Sequence, residues 1–274
     1  MNKFFKNIDH ALSFAEKGLS ESIHVKTLVK AGDYVSWQKK LVKEADLESY
    51  LLRGKYNLLI LAVAAGIDMD PAIPSLNNFH ASKLMAALDS YLNLFPFLLK
   101  DKKFISKLKN LDGLIATICE LSLAKYFHSA GYKVSFETPF QNMTSSTTKD
   151  VDLSVTDKLG NTIHFEIYMP VHAIEVEGFF APEEEDHHFE YKVMKKLDDK
   201  FGSIGIQGIS GKIFLAVNID HYDELRTKRL LFGGNDELFM KAKTHLPNHI
   251  DGVLFFRDEF ISGSKIAFDG LITK

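Results

Sequence analysis

Two short segments with alternating polar and apolar residues, joined by a tight turn, constrain the fold of this chain most. The segments are residues 150–156 and 162–168, and residues 157–160 (Asp-Lys-Leu-Gly) lie between them. Asp first and Gly fourth favour a type I turn closed by a left-handed glycine. The sequence therefore predicts an antiparallel hairpin, and the register of this turn places Asp152 directly opposite Glu166.

The alternation gives the hairpin a polar and an apolar face, because successive strand side chains point to opposite sides. The polar face comprises Asp150, Asp152, Ser154, His164, Glu166 and Tyr168. The apolar face comprises Val151, Leu153, Val155, Ile163, Phe165 and Ile167. Like charges opposed across a sheet destabilise it, so the acid pair predicts an offsetting cation. An ordinary solvent-exposed face is the alternative interpretation.

A third acid, Glu120, lies in a segment that is apolar on nearly every side. The spacing predicts a helix over 111–129, and such a helix is buried. A buried carboxylate is costly unless it meets a cation or hydrogen-bond donors. Glu120 is therefore a candidate site residue, with a structural ion pair as the alternative. Its neighbour Cys119 is expected to be a small buried apolar residue.

The chain reads as two parts with different patterns. Residues 1–108 are predicted to be helical and residues 109–274 to mix strands with helices, which gives an α+β fold. Helices are predicted over residues 5–17, 37–52, 56–65, 81–99, 111–129, 187–201 and 236–244. Strands are predicted over residues 132–138, 150–156, 162–168, 213–219, 252–256 and 265–272.

The element order over residues 109–220 resembles the core of the PD-(D/E)XK nucleases. This core has a helix bearing Glu, then three strands carrying D…E-x-K, then a helix and a further strand. The matching residues are Glu120, Asp152 and Glu166. The resemblance implies a restriction-endonuclease-like fold, with a mixed sheet flanked by helices.

The sequence departs from the family motif at Tyr168, where the family usually has a lysine. In some members of such families the lysine comes from the following helix. Lys192, Lys195 and Lys196 share one face of the predicted helix and are the candidates. Tyr168 itself can donate a hydrogen bond but replaces a cation poorly.

The resemblance implies metal-assisted hydrolysis of phosphodiester bonds by an endonuclease. Asp152, Glu166 and the backbone carbonyl of Ile167 would bind Mg²⁺ or Mn²⁺, with Glu120 bound directly or through water. The metal would activate water and neutralise developing charge. The implied partner is nucleic acid, with DNA expected. A symmetric homodimer would suit cleavage of both strands.

Two other interpretations remain open. The chain could be a nuclease-like module that has lost catalysis and serves in binding or assembly, which Tyr168 favours. It could also be an unrelated metal hydrolase that uses residues 183–188 (Glu-Glu-Glu-Asp-His-His), because carboxylates and imidazoles together bind transition metals. A solvated acidic loop is the simpler account of that cluster.

Composition limits the binding partners and the cellular compartment expected for this protein. The net charge is -3 with four arginines among 33 basic residues, so the chain is unlike a constitutive nucleic-acid coat. A local basic face remains, because residues 100–109 carry five lysines and one acid. The longest apolar run, residues 58–65, is too short to span a membrane. With one cysteine, the expectation is a soluble cytoplasmic protein in a reducing compartment.

Overall fold

The architecture is α+β: N-terminal helices precede a seven-stranded mixed sheet with helices. The computed structural model describes residues 5–40, 56–71, 81–111, 113–143, 147–169, 195–196, 198–201, 206–219, 246–258 and 266–273. The α+β class and the mixed sheet are confirmed. Within the described residues, no helix is long and apolar enough to cross a membrane.

The helices of the described part concentrate before residue 130. They are α1 (Ile8–Ser20), α2 (Val25–Leu28), α3 (Ala31–Lys40), α4 (Leu58–Asp68), α5 (Ala81–Leu94), a 3-10 helix (Pro96–Lys100), α6 (Lys102–Lys109) and α7 (Leu114–Ser129). The predicted helix over 81–99 is wrong at its end, because Pro96 opens the 3-10 helix instead. The helix predicted from residue 37 begins earlier, at Ala31, and residues 41–52 lie outside the described part.

The chain forms two compact units, and the division falls between Leu121 and Ser122, inside α7. The predicted boundary between residues 108 and 109 stays a prediction. In the first unit α1 packs directly on α4. A side-chain carbon at Gly18 or Gly66 would lie only 2.0 Å from a backbone oxygen of the opposing helix. Glycine is therefore required at both positions, since the helix backbones themselves are in contact.

Helix α6 was not among the predicted elements, because its few apolar residues lie among lysines and do not form a clear apolar pattern. Phe104 and Leu108, four residues apart, are both buried. Asp101 caps the helix: its Oδ1 accepts hydrogen bonds from the backbone N–H groups of Lys103 at 2.8 Å and Phe104 at 3.1 Å. The cap and the buried pair explain why a segment so rich in charge is helical.

The seven strands of the described part form one sheet in the order β4-β1-β2-β3-β5-β6-β7. They are β1 (Lys133–Asn142), β2 (Thr148–Thr156), β3 (Thr162–Tyr168), β4 (Ile206–Gln207), β5 (Lys212–Asn218), β6 (Gly252–Asp258) and β7 (Ile266–Thr273). Strand β5 runs parallel to β3 and to β6, and the other pairs are antiparallel. Six strands correspond to predicted ones, whereas β4 has no predicted counterpart.

The hairpin of β2 and β3 has the predicted register, with Leu153 paired to Phe165 and Thr156 paired to Thr162. Gly160 closes the turn with φ of 88°, in the left-handed region, and its N–H donates to the Asp157 carbonyl at 3.1 Å. The ladder of paired residues ends at Leu153 and Phe165, and the Asp152 side chain just beyond it accepts a hydrogen bond from the backbone N–H of Ile167.

The second unit has apolar groups on both faces of its sheet. On one face Phe127 of α7 stacks on Phe165, with ring centroids 5.2 Å apart. On the other, the fully buried Phe201 stacks on Phe140 at 5.7 Å. A core cluster surrounds that second contact; it comprises Phe140, Val151, Phe201, Ile213, Leu215, Val217, Ile219, Leu246, Ile250, Val253 and Phe255. Phe201 thereby anchors the helical residues just before it to the sheet.

Candidate carboxylate–lysine site

Asp152 lies where the ladder between β1 and β2 is distorted. Phe136 pairs with Leu153 and Thr138 pairs with Val151, but the intervening residues Glu137 and Asp152 are not paired in the ladder. Glu137 has φ of 50°, a left-handed conformation that disfavours residues with side chains. Strain of this kind persists where the surrounding structure imposes it, often at functional sites.

The Asp152 side chain is buried and bends toward the neighbouring strand. Its Oδ2 accepts a hydrogen bond from the backbone N–H of Ile167 at 2.8 Å. This contact fixes one carboxylate oxygen beside the main chain that follows Glu166. The contact therefore holds the two acids of the hairpin in a defined arrangement.

Glu166 is the most deeply buried acid of the hairpin, with 1% of its surface exposed. Two ammonium groups contact its carboxylate, one on each oxygen. Lys196 Nζ lies 2.8 Å from Oε1 and Lys200 Nζ lies 2.8 Å from Oε2. The Lys196 contact is also a hydrogen bond, whereas the Lys200 contact is an ion pair without hydrogen-bond geometry. The two lysines thus offset the burial of this charge.

Lys196 interacts with several groups of the site. Burial lowers the pKa of Lys196, but attraction to Glu166, the hydrogen bond that Lys196 donates to Glu166 and attraction to Asp152 leave that pKa raised. Its Nζ also lies 5.7 Å from the ring centroid of Tyr168. Burial raises the pKa of Tyr168 despite the opposing effect of Lys196. At neutral pH the site therefore contains a charged ammonium group and a neutral phenol.

The lysines reach the carboxylates from the lysine segment, defined here as helical residues 195–196 and 198–201. Strand β2 holds the end of this segment: Lys149 Nζ donates to the carbonyl of Asp199 at 2.6 Å and to that of Lys200 at 3.4 Å. Lys200 Nζ also lies 3.9 Å from Asp150. Lys149 is therefore a positioning residue for the segment.

The predicted lysines have different outcomes. Lys196 joins the acids, Lys195 is exposed on the same segment, and Lys192 lies outside the described residues. The sequence predictions do not include Lys200. Its spacing of four residues from Lys196 is the signal that could have identified it, because such residues share a helix face.

Glu120 is buried in the first unit and has a cation of its own. Both of its carboxylate oxygens lie 3.4 Å from Lys107 Nζ of α6. The structural ion pair considered for this acid is therefore present. Its role as a metal ligand stays a prediction.

The acids of the hairpin all lie near lysines. Lys196 and Lys200 contact Glu166, Lys200 also lies 3.9 Å from Asp150, and Lys196 is attracted to Asp152. In the described part of the chain, no three His, Cys, Asp or Glu side chains are grouped to hold a metal ion. Coordination by Asp152, Glu166, Glu120 and the Ile167 carbonyl stays a prediction, and residues 183–188 lie outside the described part.

A buried hydrogen-bond chain lies next to the acids on β2 and β3. Ser154 Oγ is 2.7 Å from His164 Nδ1, and His164 Nε2 is 3.0 Å from the Ser210 carbonyl. Because a carbonyl only accepts, Nε2 donates this hydrogen bond, and in the neutral ring Nδ1 accepts from Ser154. The Ser154 oxygen then accepts from Thr138, 2.7 Å away. With Ser154 and His164 about 2–3% exposed, the chain orders the strands and is closed to substrate.

The comparisons with known proteins give no match for this chain among protein-family models, curated proteins or solved structures.

Proposed function

We propose that this protein is a metal-dependent nuclease of the PD-(D/E)XK type, with a restriction-endonuclease-like core and nucleic acid, DNA in the first instance, as its substrate. One observation carries the proposal. The Lys196 ammonium group lies 2.8 Å from Glu166 and is attracted to Asp152, although the motif position itself holds Tyr168. In this proposal, Lys196 supplies the cation that the motif position lacks.

Each residue then has a role. Asp152, Glu166 and the Ile167 carbonyl would hold Mg²⁺ or Mn²⁺, with Glu120 contributing directly or through water. When bound, the cation lowers the pKa of water and neutralises charge on the phosphate. Lys196, whose raised pKa keeps it protonated, stabilises negative charge and does not act as a base. Tyr168, whose pKa is raised by burial, stays neutral and would be available as a hydrogen-bond donor.

The ion pairs predict how the cation competes for the site. Both oxygens of Glu166 already face ammonium groups, so a divalent cation must replace at least one of these contacts. Removing Lys200 should therefore tighten Mn²⁺ binding, by about 10-fold for a contribution of 1.4 kcal/mol. Titration calorimetry on Lys200→Met and the wild type measures this effect. Unchanged or weaker binding in the variant would contradict the competition.

Cleavage of labelled single- and double-stranded DNA in Mg²⁺ or Mn²⁺ tests the activity. Asp152→Asn, Glu166→Gln and Lys196→Met should each lower the rate by about 100-fold or more, because each removes charge stabilisation in the transition state. Lys195→Met is the matched control, since Lys195 is the exposed neighbour of Lys196. Cleavage that survives in all three variants, or that falls equally in the control, would refute the assignment.

One observation favours a second function, a nuclease-like binding or assembly module without catalysis. Lys196 and Lys200 together offset the Glu166 charge. In that case the lysines are purely structural, and wild-type protein would neither bind Mn²⁺ in calorimetry nor cleave DNA. Metal binding that disappears in Asp152→Asn and in Glu166→Gln distinguishes the nuclease from this module.

A further inference from the structure

An exposed basic patch with an aromatic residue lies in the first unit, at the junction of the 3-10 helix and α6. The patch consists of Phe97, Lys100, Lys102 and Lys103, and all four side chains are exposed. Phe97 is 56% exposed, which is unusual for a residue that most often lies in a core. The patch contains three lysines from the basic stretch identified in the sequence.

Local geometry brings the aromatic ring and the first lysine together. Residues three apart in a 3-10 helix are eclipsed, so Phe97 and Lys100 lie one above the other. The ring is also held in place: it meets the buried ring of Phe95 edge-on, with centroids 6.3 Å apart. Phe97 is therefore an exposed aromatic side chain whose orientation is stabilised by its contact with the buried Phe95.

Helix stability does not account for the lysines of the patch. Lys102 and Lys103 occupy the first turn of α6, where the helix dipole disfavours positive charge. Lys107 and Lys109, at the other end, pair with Glu120 and Asp33. Within the described part of the chain, Lys100 and Lys102 have no carboxylate partner. Positive charge placed against the dipole suits an external anionic partner.

We propose that this patch binds single-stranded nucleic acid. Lysines pair with backbone phosphates, and an exposed aromatic ring stacks on an unpaired base, which is the usual chemistry of single-strand binding. A duplex offers Phe97 no free base face, so the aromatic residue specifically favours the single strand. The inference takes nucleic acid as the substrate class from the proposed function. It adds that the nucleic acid is single-stranded and that this patch binds it.

The test is fluorescence anisotropy with a short labelled DNA strand, alone and annealed to its complement, in EDTA so that no cleavage occurs. Replacing Lys100, Lys102 and Lys103 by Gln should weaken single-strand binding by at least about 10-fold and lower the slope of log K against log salt by about 2. A control variant loses the same charge from three dispersed exposed lysines: Lys6, Lys26 and Lys158. It should change the affinity by less than about 2-fold.

The aromatic contribution has its own pair of variants. Phe97→Leu keeps an apolar side chain against Phe95 but removes the stacking face, and should weaken binding by about 10-fold. Phe97→Trp keeps a stacking face, and should retain binding and show quenched fluorescence on adding DNA. Circular dichroism confirms that each variant is folded. Equal losses in Leu and Trp variants would overturn the stacking role.

Three results would overturn the proposal: tighter binding of the duplex, equal losses in the patch and control lysine variants, or binding to phosphatidylserine vesicles without binding to DNA. These outcomes are separable from the proposed function. Protein that binds DNA through the patch but never cleaves it refutes the nuclease and leaves this inference intact. Protein that cleaves DNA with unaltered binding in the patch variants refutes this inference alone.

Discussion

Glu166 and Glu120 are both buried acids, and they differ in how their charge is compensated. Glu166 is 1% exposed and has an ammonium group 2.8 Å from each oxygen. Glu120 pairs with Lys107, whose Nζ lies 3.4 Å from both oxygens and whose side chain is 28% exposed. Two close cations on one acid exceed what neutralisation requires. The surplus indicates that Glu166 lies in a group of charges that includes Asp150 and Asp152.

Removing each negative charge in turn tests whether the two acids contribute differently to the free energy of unfolding. Glu166→Gln should lower the free energy of unfolding by about 4 kcal/mol, because two partly buried ammonium groups lose their partner. Glu120→Gln should cost about 1 kcal/mol, since Lys107 can turn toward solvent. Urea titrations read by hydrogen exchange at β3 and at α7 separate the two regions. Equal losses would show that the close contacts at Glu166 have no energetic counterpart.

A third buried acid, Asp258 at the end of β6, extends the comparison to an acid whose pKa shift is caused mainly by burial. Burial raises its pKa from 3.8 to about 6, although the nearby Ser122 hydroxyl and Lys125 ammonium group oppose the shift. Between about pH 4 and 6 the folded state keeps a proton that the unfolded chain has lost. Stability should therefore fall by up to about 3 kcal/mol as pH rises through this window.

Urea unfolding from pH 4 to pH 7.5 measures the effect of Asp258. The Asp258→Asn variant should lose the decline and be the more stable protein at pH 7.5, since no charge is buried. Asp198→Asn is the control, because Asp198 is exposed. A decline that persists unchanged in Asp258→Asn would assign it to other groups.

The smallest effect is the coupling within each ion pair. A double-mutant cycle of Glu166→Gln with Lys196→Met should give a coupling energy of about 2 kcal/mol, as is usual for buried partners. The equivalent cycle with Glu120→Gln and Lys107→Met should give less than about 1 kcal/mol, because the pair is longer and more exposed. Similar coupling energies from the two cycles would show that the shorter Glu166–Lys196 contact is no stronger than the Glu120–Lys107 contact.

The hairpin and its acids could be predicted because both depend on local rules. Turn chemistry at residues 157–160 sets the register, which the ladder from Leu153–Phe165 to Thr156–Thr162 confirms. The apolar segments likewise predicted most strands of the sheet. These features depend on neighbours in the sequence, so the sequence carries enough information to define them.

The partners of the acids could be predicted only in part. Lys196 was one of three lysines with the same local pattern, and Lys200 was not distinguished at all. Which lysine reaches Glu166 depends on how Phe201 and Lys149 fix the segment to the sheet, which is a tertiary contact. Similarly, α6 depends on the Asp101 cap, and its charge pattern gave no sign of a buried face.

The Gly160 turn also determines which changes of length the chain tolerates. Leu159 is 88% exposed at its tip, so substitution or chemical labelling there leaves the ladder intact. A one-residue insertion that shifted the pairing would move Glu166 to the apolar face and put Ile167 among the lysines. Insertions of two residues restore the alternation. Insertions at the exposed tip that lengthen the loop and leave the Thr156–Thr162 pair in place keep both faces unchanged, so this tip is the place to introduce a tag.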